Sequence, residues 1–308
     1  MIGVFGANGF IGQHLVRRLA RDGQAVTAVA RRFDPGLDSL GVRTVAGDLR
    51  DRSAMRYALE GVDTVVQLMG TSTPAQGIAQ STQDIQDNVI PHVAFLRECV
   101  DVGVRRFVFL SSGGAVYGPV PGDRVIPETH PTRPISSHGV TKLMMEHFIR
   151  LHSHLDDLEH VILRVANPYG PGQVVKAGQG LIPALLDRQA QGLPVTVYGD
   201  GSAARDYVYI DDVVDAIVRA AALPGHEELT VNVGSGRHRT VLDVISCLEE
   251  ATGSSFEIEK LPARATDVDR IALDVRLAER ALRWTPTVGF AEGVRRTVGA
   301  LGPRTATG

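Results

Sequence analysis

The sequence predicts an α/β protein with a doubly wound parallel sheet and a smaller C-terminal α/β lobe. In the first half of the chain, short apolar runs alternate with helical patterns, which is typical of a parallel sheet covered by helices on both faces. The chain opens on one such run, which passes directly into closely spaced glycines. After Asn167 the pattern changes to shorter elements separated by prolines and glycines.

Short apolar runs in the first half predict buried parallel strands. They lie at Ile2–Phe5, Ala25–Ala30, Val42–Ala46, Thr64–Leu68, Phe107–Leu110 and Val161–Val165. The predicted helices span Gly9–Arg21, Arg52–Leu59, Asp84–Val102 and about Ser136–Leu155. We therefore expect residues 1–167 to form the main domain and residues 168–308 mainly the smaller lobe, with the segment 205–222 returning to the main domain.

The composition is that of an ordinary globular protein, with 44% hydrophobic and 22% charged residues and a net charge of −3. This charge argues against a nucleic-acid partner and against membrane binding, because both need a basic face. Cys99 and Cys247 lie far apart and have no metal-binding or redox spacing, so we expect no metal site and a reducing compartment. The opening apolar run is too short for a signal peptide and no stretch approaches a membrane span, which favours a cytoplasmic location.

The glycines at the start of the chain have the spacing GxxGxxG and follow the first strand directly. Glycines let the backbone turn sharply, let a pyrophosphate approach the main-chain amides, and let the next helix pack against the strand. The N-terminus of that helix then faces the phosphates. We therefore predict a Rossmann-type dinucleotide-binding domain. Its candidate cofactor-binding residues here are Gly6, Asn8, Gly9, Phe10, Ile11 and Gly12.

The end of the second strand favours NADP(H) as the cofactor. A carboxylate there would bind the ribose 2′-hydroxyl of NAD, whereas an arginine would accommodate a 2′-phosphate. The sequence has Arg31 and Arg32 at this point and no carboxylate. The alternative is that both arginines are solvated surface charges, and NAD stays possible. Asp48, after the third strand, is either an adenine contact or a turn residue.

A series of characteristic motifs runs along nearly the whole chain. They are GANGFIG at 6–12, GDL at 47–49, Asn88, SSGGAVYG at 111–118, HGVTK at 138–142, VANPYGPGQ at 165–173, VYGDGSAARDYVYIDDVVDA at 197–216, VNVGSG at 231–236, PARATDV at 262–268 and LRWTP at 282–286. Together these motifs resemble the extended short-chain dehydrogenase/reductase family, in its branch of nucleotide-sugar epimerases, dehydratases and ketoreductases. The resemblance implies further cofactor contacts from Leu49, Leu68, Ser111 and Lys142.

The resemblance also implies a catalytic group built on a Tyr and a Lys spaced YxxxK. Lys142 matches the lysine, but His138 stands where the family has tyrosine. Residues four apart on a helix share one face, and a histidine titrates near neutral pH, so His138 suits proton transfer. Gly113 stands where the family usually has Ser or Thr, which leaves Ser112 as the candidate hydroxyl. The competing interpretation is loss of catalysis with binding retained.

In the resembling family, residues of the smaller lobe bind a nucleotide-diphosphate sugar, and two arginines grip its phosphates. An arginine suits this role because its planar fork binds phosphate oxygens in a bidentate way. The matching candidates are Asn167, Thr196, Tyr198, Arg205, Arg264 and Asp267. The same resemblance implies a homodimer formed through the helices near 84–102 and 136–155.

The exact reaction is left open among several alternatives. The first is an NADPH-dependent reductase of a nucleotide-linked 4-keto sugar, as in deoxysugar biosynthesis, which Arg31 and Arg32 favour. The second is a 4-epimerase that retains NAD and returns the hydride to the other face of the sugar. A 4,6-dehydratase is disfavoured because Gly114 and Ala115 stand where that branch has an Asp–Glu pair. An alternative of another class is a catalytically silent nucleotide-sugar-binding protein.

Overall fold

The computed structural model describes residues 1–33, 35–71, 81–175, 180–225, 227–262 and 270–301. Its strands are β1 (Ile2–Phe5), β2 (Val26–Ala30), β3 (Arg43–Ala46), β4 (Thr64–Gln67), β5 (Arg106–Ser112), β6 (Glu159–Val165), β7 (Asn167–Tyr169), β8 (Val195–Tyr198), β9 (Ala204–Arg205), β10 (Tyr207–Tyr209), β11 (Glu228–Val233), β12 (Arg239–Thr240) and β13 (Ile258–Leu261).

The helices follow in the same order along the chain. They are α1 (Phe10–Arg21), α2 (Pro35–Asp38), α3 (Arg52–Ala58), α4 (Ser81–Asp84), α5 (Ile90–Asp101), α6 (Gly113–Val116), α7 (Ser137–Asp156), α8 (Leu181–Ala190), α9 (Ile210–Ala221), α10 (Val241–Thr252), α11 (Arg276–Leu282) and α12 (Phe290–Gly299), with a π turn at Ile85–Val89 between α4 and α5.

Seven parallel strands form one sheet within the described residues, in the order β11-β6-β5-β4-β1-β2-β3. The order reverses at β1, which pairs with β2 on one side and β4 on the other. Ligands of such sheets bind outside the carboxyl ends of the strands at this reversal. The predicted doubly wound sheet is confirmed, and its reversal point coincides with the glycine-rich turn.

The two faces of the sheet carry separate apolar clusters, because successive side chains of a strand point to opposite faces. Val4 of β1 packs into a cluster with α1 and α9, whereas its neighbour Phe5 packs into a second cluster with α3, α5 and α7. The helix α7 is therefore placed on one face of the sheet, with its N-terminal end close to the segment that follows β5.

Parts of the second half of the chain join the main sheet. β11 pairs in parallel with β6 and extends the sheet by one strand. α9 packs against α1 and against β4, β5 and β6. The remaining strands form three separate pairs, β7 with β10, β8 with β13, and β9 with β12. The helix at 210–221 thus lies on the main sheet, and the strand at 228–233 is an addition that the sequence pattern did not indicate.

The predicted helix Asp84–Val102 is interrupted by the π turn. Its widened turn contains Asn88, whose side chain accepts hydrogen bonds from the backbone nitrogen and the hydroxyl of Thr71 at 2.7 and 3.1 Å. π turns are often found where a helix contributes to a functional site. In the described part of the chain, none of the helices is both long and apolar enough to span a bilayer.

Candidate active site

The glycine-rich turn brings the start of α1 directly against the ends of β1 and β4. Gly6 has a φ of +98°, and a Cβ there would lie 3.0 Å from the Leu68 carbonyl carbon and 3.0 Å from the Met69 nitrogen. A Cβ at Gly12 would lie 2.1 Å from the Gly6 carbonyl oxygen. Glycine is thus required at both positions by close backbone packing. The turn leads into the N-terminus of α1 at Phe10, which suits a bound pyrophosphate.

The polar candidates beyond this turn lie at the ends of β2 and β3. Arg31 and Arg32 are both exposed directly after β2. Asp48 accepts a hydrogen bond from the backbone nitrogen of Arg50 at 3.1 Å, which gives it a turn-forming role. Leu49 is partly buried against the second apolar cluster. The two arginines are therefore free to meet a solvent-exposed anionic group at this edge.

The loop after β4 is fixed by two residues one turn apart on the helix beside it. Asn88 holds Thr71, and His92 places Nε2 3.0 Å from the Met69 carbonyl oxygen. Burial, and next the positive charge of Lys142, lower the pKa of His92 to about 4. At neutral pH the ring is uncharged, so Nε2 donates this hydrogen bond. His92 carries no functional signal in the sequence, because only the fold places it beside this loop.

His138 and Lys142 lie one turn apart at the N-terminal end of α7. The hydroxyl of Ser136 caps this helix by accepting from the Gly139 nitrogen at 3.2 Å. The Lys142 ammonium donates to the Leu110 carbonyl oxygen of β5 at 2.7 Å. Burial lowers the pKa of Lys142 to about 8, against the opposing effect of the Glu146 carboxylate. α7 therefore presents a charged lysine and a buried histidine beside the carboxyl end of β5.

The two serines at the end of β5 have different surroundings. The Ser111 hydroxyl is buried and donates to Glu146 Oε1 at 2.6 Å. Ser112 is partly exposed, directly before α6. At Gly113 a Cβ would lie 2.5 Å from Leu273 Cδ1 and 3.1 Å from the Arg164 carbonyl oxygen, so a larger side chain fits only if Leu273 shifts. Ser112 is the hydroxyl of this segment that stays available to a ligand.

The substrate candidates that the structure describes lie in the smaller lobe. Asn167 donates through Nδ2 to the Asp206 carbonyl oxygen at 2.8 Å, which ties β7 to β10. Arg205 is partly buried on β9. Thr196 and Tyr198 are partly buried and alternate with buried valines on β8, so they share one face. Arg264 and Asp267 lie outside the described residues.

The comparisons with known proteins point to a single family. The model of the NAD dependent epimerase/dehydratase family matches residues 2–234. The UDP-glucose 4-epimerase of Mycolicibacterium smegmatis is 32% identical over 303 residues, which cover 96% of each chain. The dTDP-4-dehydro-6-deoxyglucose reductase of Escherichia coli is 30% identical over 240 residues, covering 78% of this chain and 75% of the reductase.

A solved structure agrees with these sequence relatives. The crystal structure of the UDP-glucose 4-epimerase of Thermus thermophilus in complex with NAD is similar to this chain with a TM-score of 0.90. The two chains are 32% identical, and the similarity covers 99% of each. The main sheet and the smaller lobe are therefore both shared with that enzyme.

Proposed function

This chain belongs to the NAD-dependent epimerase/dehydratase family, and from that membership we propose that it transfers a hydride at C4 of a nucleotide-linked sugar. The observation that carries the proposal is the placement of His138 and Lys142. They lie one turn apart on α7, beside the carboxyl end of β5, at the sheet edge where α/β proteins bind their ligands.

The residues around this pair suit proton transfer at the sugar oxygen. When bound, the nicotinamide supplies or accepts the hydride. His138 exchanges a proton with the oxygen at C4, because an imidazole gives and takes protons near neutral pH. Lys142 is charged below about pH 8 and favours negative charge developing on that oxygen. Ser112, which is partly exposed, orients the same oxygen through its hydroxyl.

The same proposal assigns cofactor and substrate contacts to the remaining candidates. The glycine turn and Leu68 beside it hold the dinucleotide, together with Leu49 and Ser111. In the smaller lobe the sugar nucleotide contacts a set that includes two arginines suited to phosphate oxygens. That set is Asn167, Thr196, Tyr198, Arg205, Arg264 and Asp267.

Two reactions of this kind, epimerisation at C4 and reduction of a 4-keto sugar, have separate support. Two relatives that span nearly the whole chain favour the 4-epimerase, which would retain NAD, since the M. smegmatis and T. thermophilus proteins are both named UDP-glucose 4-epimerase and the T. thermophilus structure contains NAD. The exposed Arg31 and Arg32 favour a 4-keto reductase that uses free NADPH, and the E. coli relative is named as a reductase. The two reactions differ in whether the cofactor leaves the protein between turnovers.

The nucleotide released from the purified protein tests this difference. The protein is denatured, and any released dinucleotide is identified and quantified by chromatography and mass spectrometry. One NAD per chain, followed by interconversion of UDP-glucose and UDP-galactose, supports the epimerase. A protein without retained dinucleotide that oxidises NADPH in the presence of a nucleotide-linked 4-keto sugar supports the reductase.

The replacement of tyrosine by His138 favours one candidate of another class, a protein that binds nucleotide sugar without turnover. Isothermal titration with UDP-glucose and with NAD(P)(H), combined with the assays above, separates this candidate from both enzymes. Binding of both ligands with no turnover in either assay would replace the catalytic proposal by the binding one.

The proposed enzyme acts as a homodimer in the cytoplasm. The neighbouring helices α5 and α7 expose apolar side chains that a second copy of the chain would cover. They are Ile90, Val140, Leu151 and Leu155, with exposed fractions of 59%, 42%, 47% and 65%. Both cysteines are free thiols, which suits a reducing compartment.

A further inference from the structure

Four polar residues follow one another at four-residue intervals along α7. His138 and Lys142 come first, and Glu146 and Arg150 continue the same line. Residues at this spacing lie on one side of a helix. Glu146 is fully buried, whereas Arg150 is partly exposed. A buried carboxylate therefore lies directly beneath the proposed catalytic pair.

The Glu146 carboxylate joins α7 to two strands of the sheet. It accepts from the Ser111 hydroxyl of β5 at 2.6 Å. On β6, Arg164 donates to it through Nε at 3.0 Å and through Nη2 at 2.6 Å. Arg150 adds a further hydrogen bond at 3.0 Å. Four donors thus satisfy both carboxylate oxygens, as a buried charge requires.

The contacts continue from Arg164 through the core. Its Nη1 donates to the Tyr117 hydroxyl at 3.0 Å, and that hydroxyl donates to Asn232 Oδ1 at 2.7 Å on β11. Asn232 donates in turn to the Ile126 carbonyl oxygen at 2.8 Å. The rotation of α7 about its own axis is therefore fixed by directional bonds to the sheet, in addition to apolar packing.

We propose that Glu146 is a positioning residue that holds Lys142 on the Leu110 carbonyl and supplies the buried negative charge that balances its ammonium. As a statement about catalysis, the inference rests on the proposed function. As a statement about the charge of Lys142, it stands on the position of Glu146 one turn along α7 and on the hydrogen bonds that keep its carboxylate there.

The charges around Lys142 explain why Glu146 matters. His92 faces it from α5 as a neutral ring, and His138 precedes it by one turn on α7. Arg164 and Arg150 both donate to the Glu146 carboxylate, so removing it leaves these two cations without their shared anion. Burial already lowers the pKa of Lys142 to about 8, and the Glu146 carboxylate opposes that effect. Without it the ammonium loses its proton at a lower pH.

The protonation of Lys142 can be measured directly, because the sequence has three lysines, Lys142, Lys176 and Lys260. Protein labelled with ¹³C-lysine gives few side-chain Cε resonances, and the one that disappears in Lys142→Met is that of Lys142. Its chemical shift is followed from pH 6 to pH 10.5 without substrate. In Glu146→Gln, we expect the titration midpoint to fall by about one unit.

Glu98→Gln is the matched control. Glu98 is also a buried carboxylate, but it lies on α5 and is paired with Arg52 and Arg56 of α3. We expect the Lys142 midpoint of this variant to equal that of the parent protein. An unchanged midpoint in folded Glu146→Gln, or an equal fall in both variants, would overturn the proposal.

If Glu146→Gln does not fold, Arg150→Gln tests instead how the charge of Glu146 affects the titration of Lys142. Arg150 is partly exposed, and its loss removes one cation that neutralises Glu146. The Lys142 midpoint should then rise, whereas an unchanged or lower midpoint contradicts the proposal. Because the readout needs no substrate, a protein inactive on nucleotide sugars with the expected midpoints would contradict the proposed function alone. Where turnover is measurable, its decline at alkaline pH should move to lower pH in Glu146→Gln.

Discussion

Arg106 and Glu159 form an ion pair of 2.6 Å at the start of the neighbouring strands β5 and β6. The same guanidinium donates to the carbonyl oxygens of Ala221, Leu223 and Gly225 at 3.0, 2.6 and 3.0 Å. These carbonyls lie at and beyond the C-terminal end of α9, where helix carbonyls lack partners within the helix. One fully buried arginine therefore attaches this helix to the N-terminal ends of β5 and β6, at the opposite end of these strands from the candidate site.

This arrangement predicts different effects for two adjacent arginines. Arg106→Met leaves Glu159 and the three carbonyls short of donors, and we expect a loss of about 3–5 kcal/mol in the free energy of unfolding. Arg105 contacts the same Glu159 oxygen at 2.6 Å but is 49% exposed, so Arg105→Met should cost no more than about 1 kcal/mol. Urea unfolding of both variants measures the difference, and equal losses would contradict the prediction.

His138 is expected to carry proton transfer. His138→Ala should lower turnover by about 10²–10⁴-fold with little change in cofactor affinity, because it removes an acid–base group. His138→Tyr should retain activity, since the resembling family has tyrosine there. His147→Ala is the control, because His147 is exposed on the same helix. Steady-state kinetics measures all three, and unchanged turnover in His138→Ala would remove His138 from the mechanism.

Arg31 and Arg32 are expected to bind a 2′-phosphate. The double variant Arg31→Ala/Arg32→Ala should weaken NADPH binding by tenfold or more, while NADH binding changes little, because a charged hydrogen bond contributes about 1.5–3 kcal/mol. Arg21→Ala, an exposed arginine at the far end of α1, should affect neither. Fluorescence titration with both cofactors is the measurement. A parallel loss of both affinities would argue for a general role in folding or charge.

Lys142 should make stability depend on pH in a defined window. Its pKa falls from 10.5 to about 8 on folding, so between these values the unfolded chain holds a proton that the folded protein has lost. Stability from this group therefore rises with pH across the window. Relative to Lys142→Met, the parent protein should gain free energy of unfolding between pH 8 and pH 10. Urea titrations at both pH values test this, and a difference that stays constant would refute it.

The apolar surface of α5 and α7 predicts a dimer that charge can break. Leu151→Arg/Leu155→Arg places two cations in the proposed contact and should yield monomers. Leu193→Arg, at a leucine exposed to 45% away from these helices, should leave the mass unchanged. Light scattering after size-exclusion chromatography gives the mass directly. A monomeric parent protein would refute the homodimer without affecting the fold.

The sequence predicted the first-half strands well because strands buried on both faces leave continuous apolar runs. β11 has no such continuous apolar run, since Glu228, Thr230 and Asn232 interrupt its apolar residues. Asn232 is nevertheless fully buried, because Tyr117 and a backbone carbonyl satisfy its amide. A polar residue inside a strand could only be recognised as buried once its distant partners were known.

The candidate site was predictable where it depends on local spacing and not where it depends on long-range contacts. The glycine turn and the interval from His138 to Lys142 are local features. The different surroundings of Ser111 and Ser112 depend on Glu146, which lies 35 residues from Ser111. The fit of Gly113 depends likewise on Leu273, which comes from the far end of the chain.

The pairing of β11 with β6 limits where the chain can be truncated. All seven residues of β6 are buried, and β11 covers its outer edge. A fragment ending near residue 167 would present the unpaired backbone edge of β6 to solvent, and such edges recruit other chains and aggregate. A soluble cofactor-binding fragment must therefore run through residue 233, so the smaller lobe cannot be removed by a single cut at residue 167.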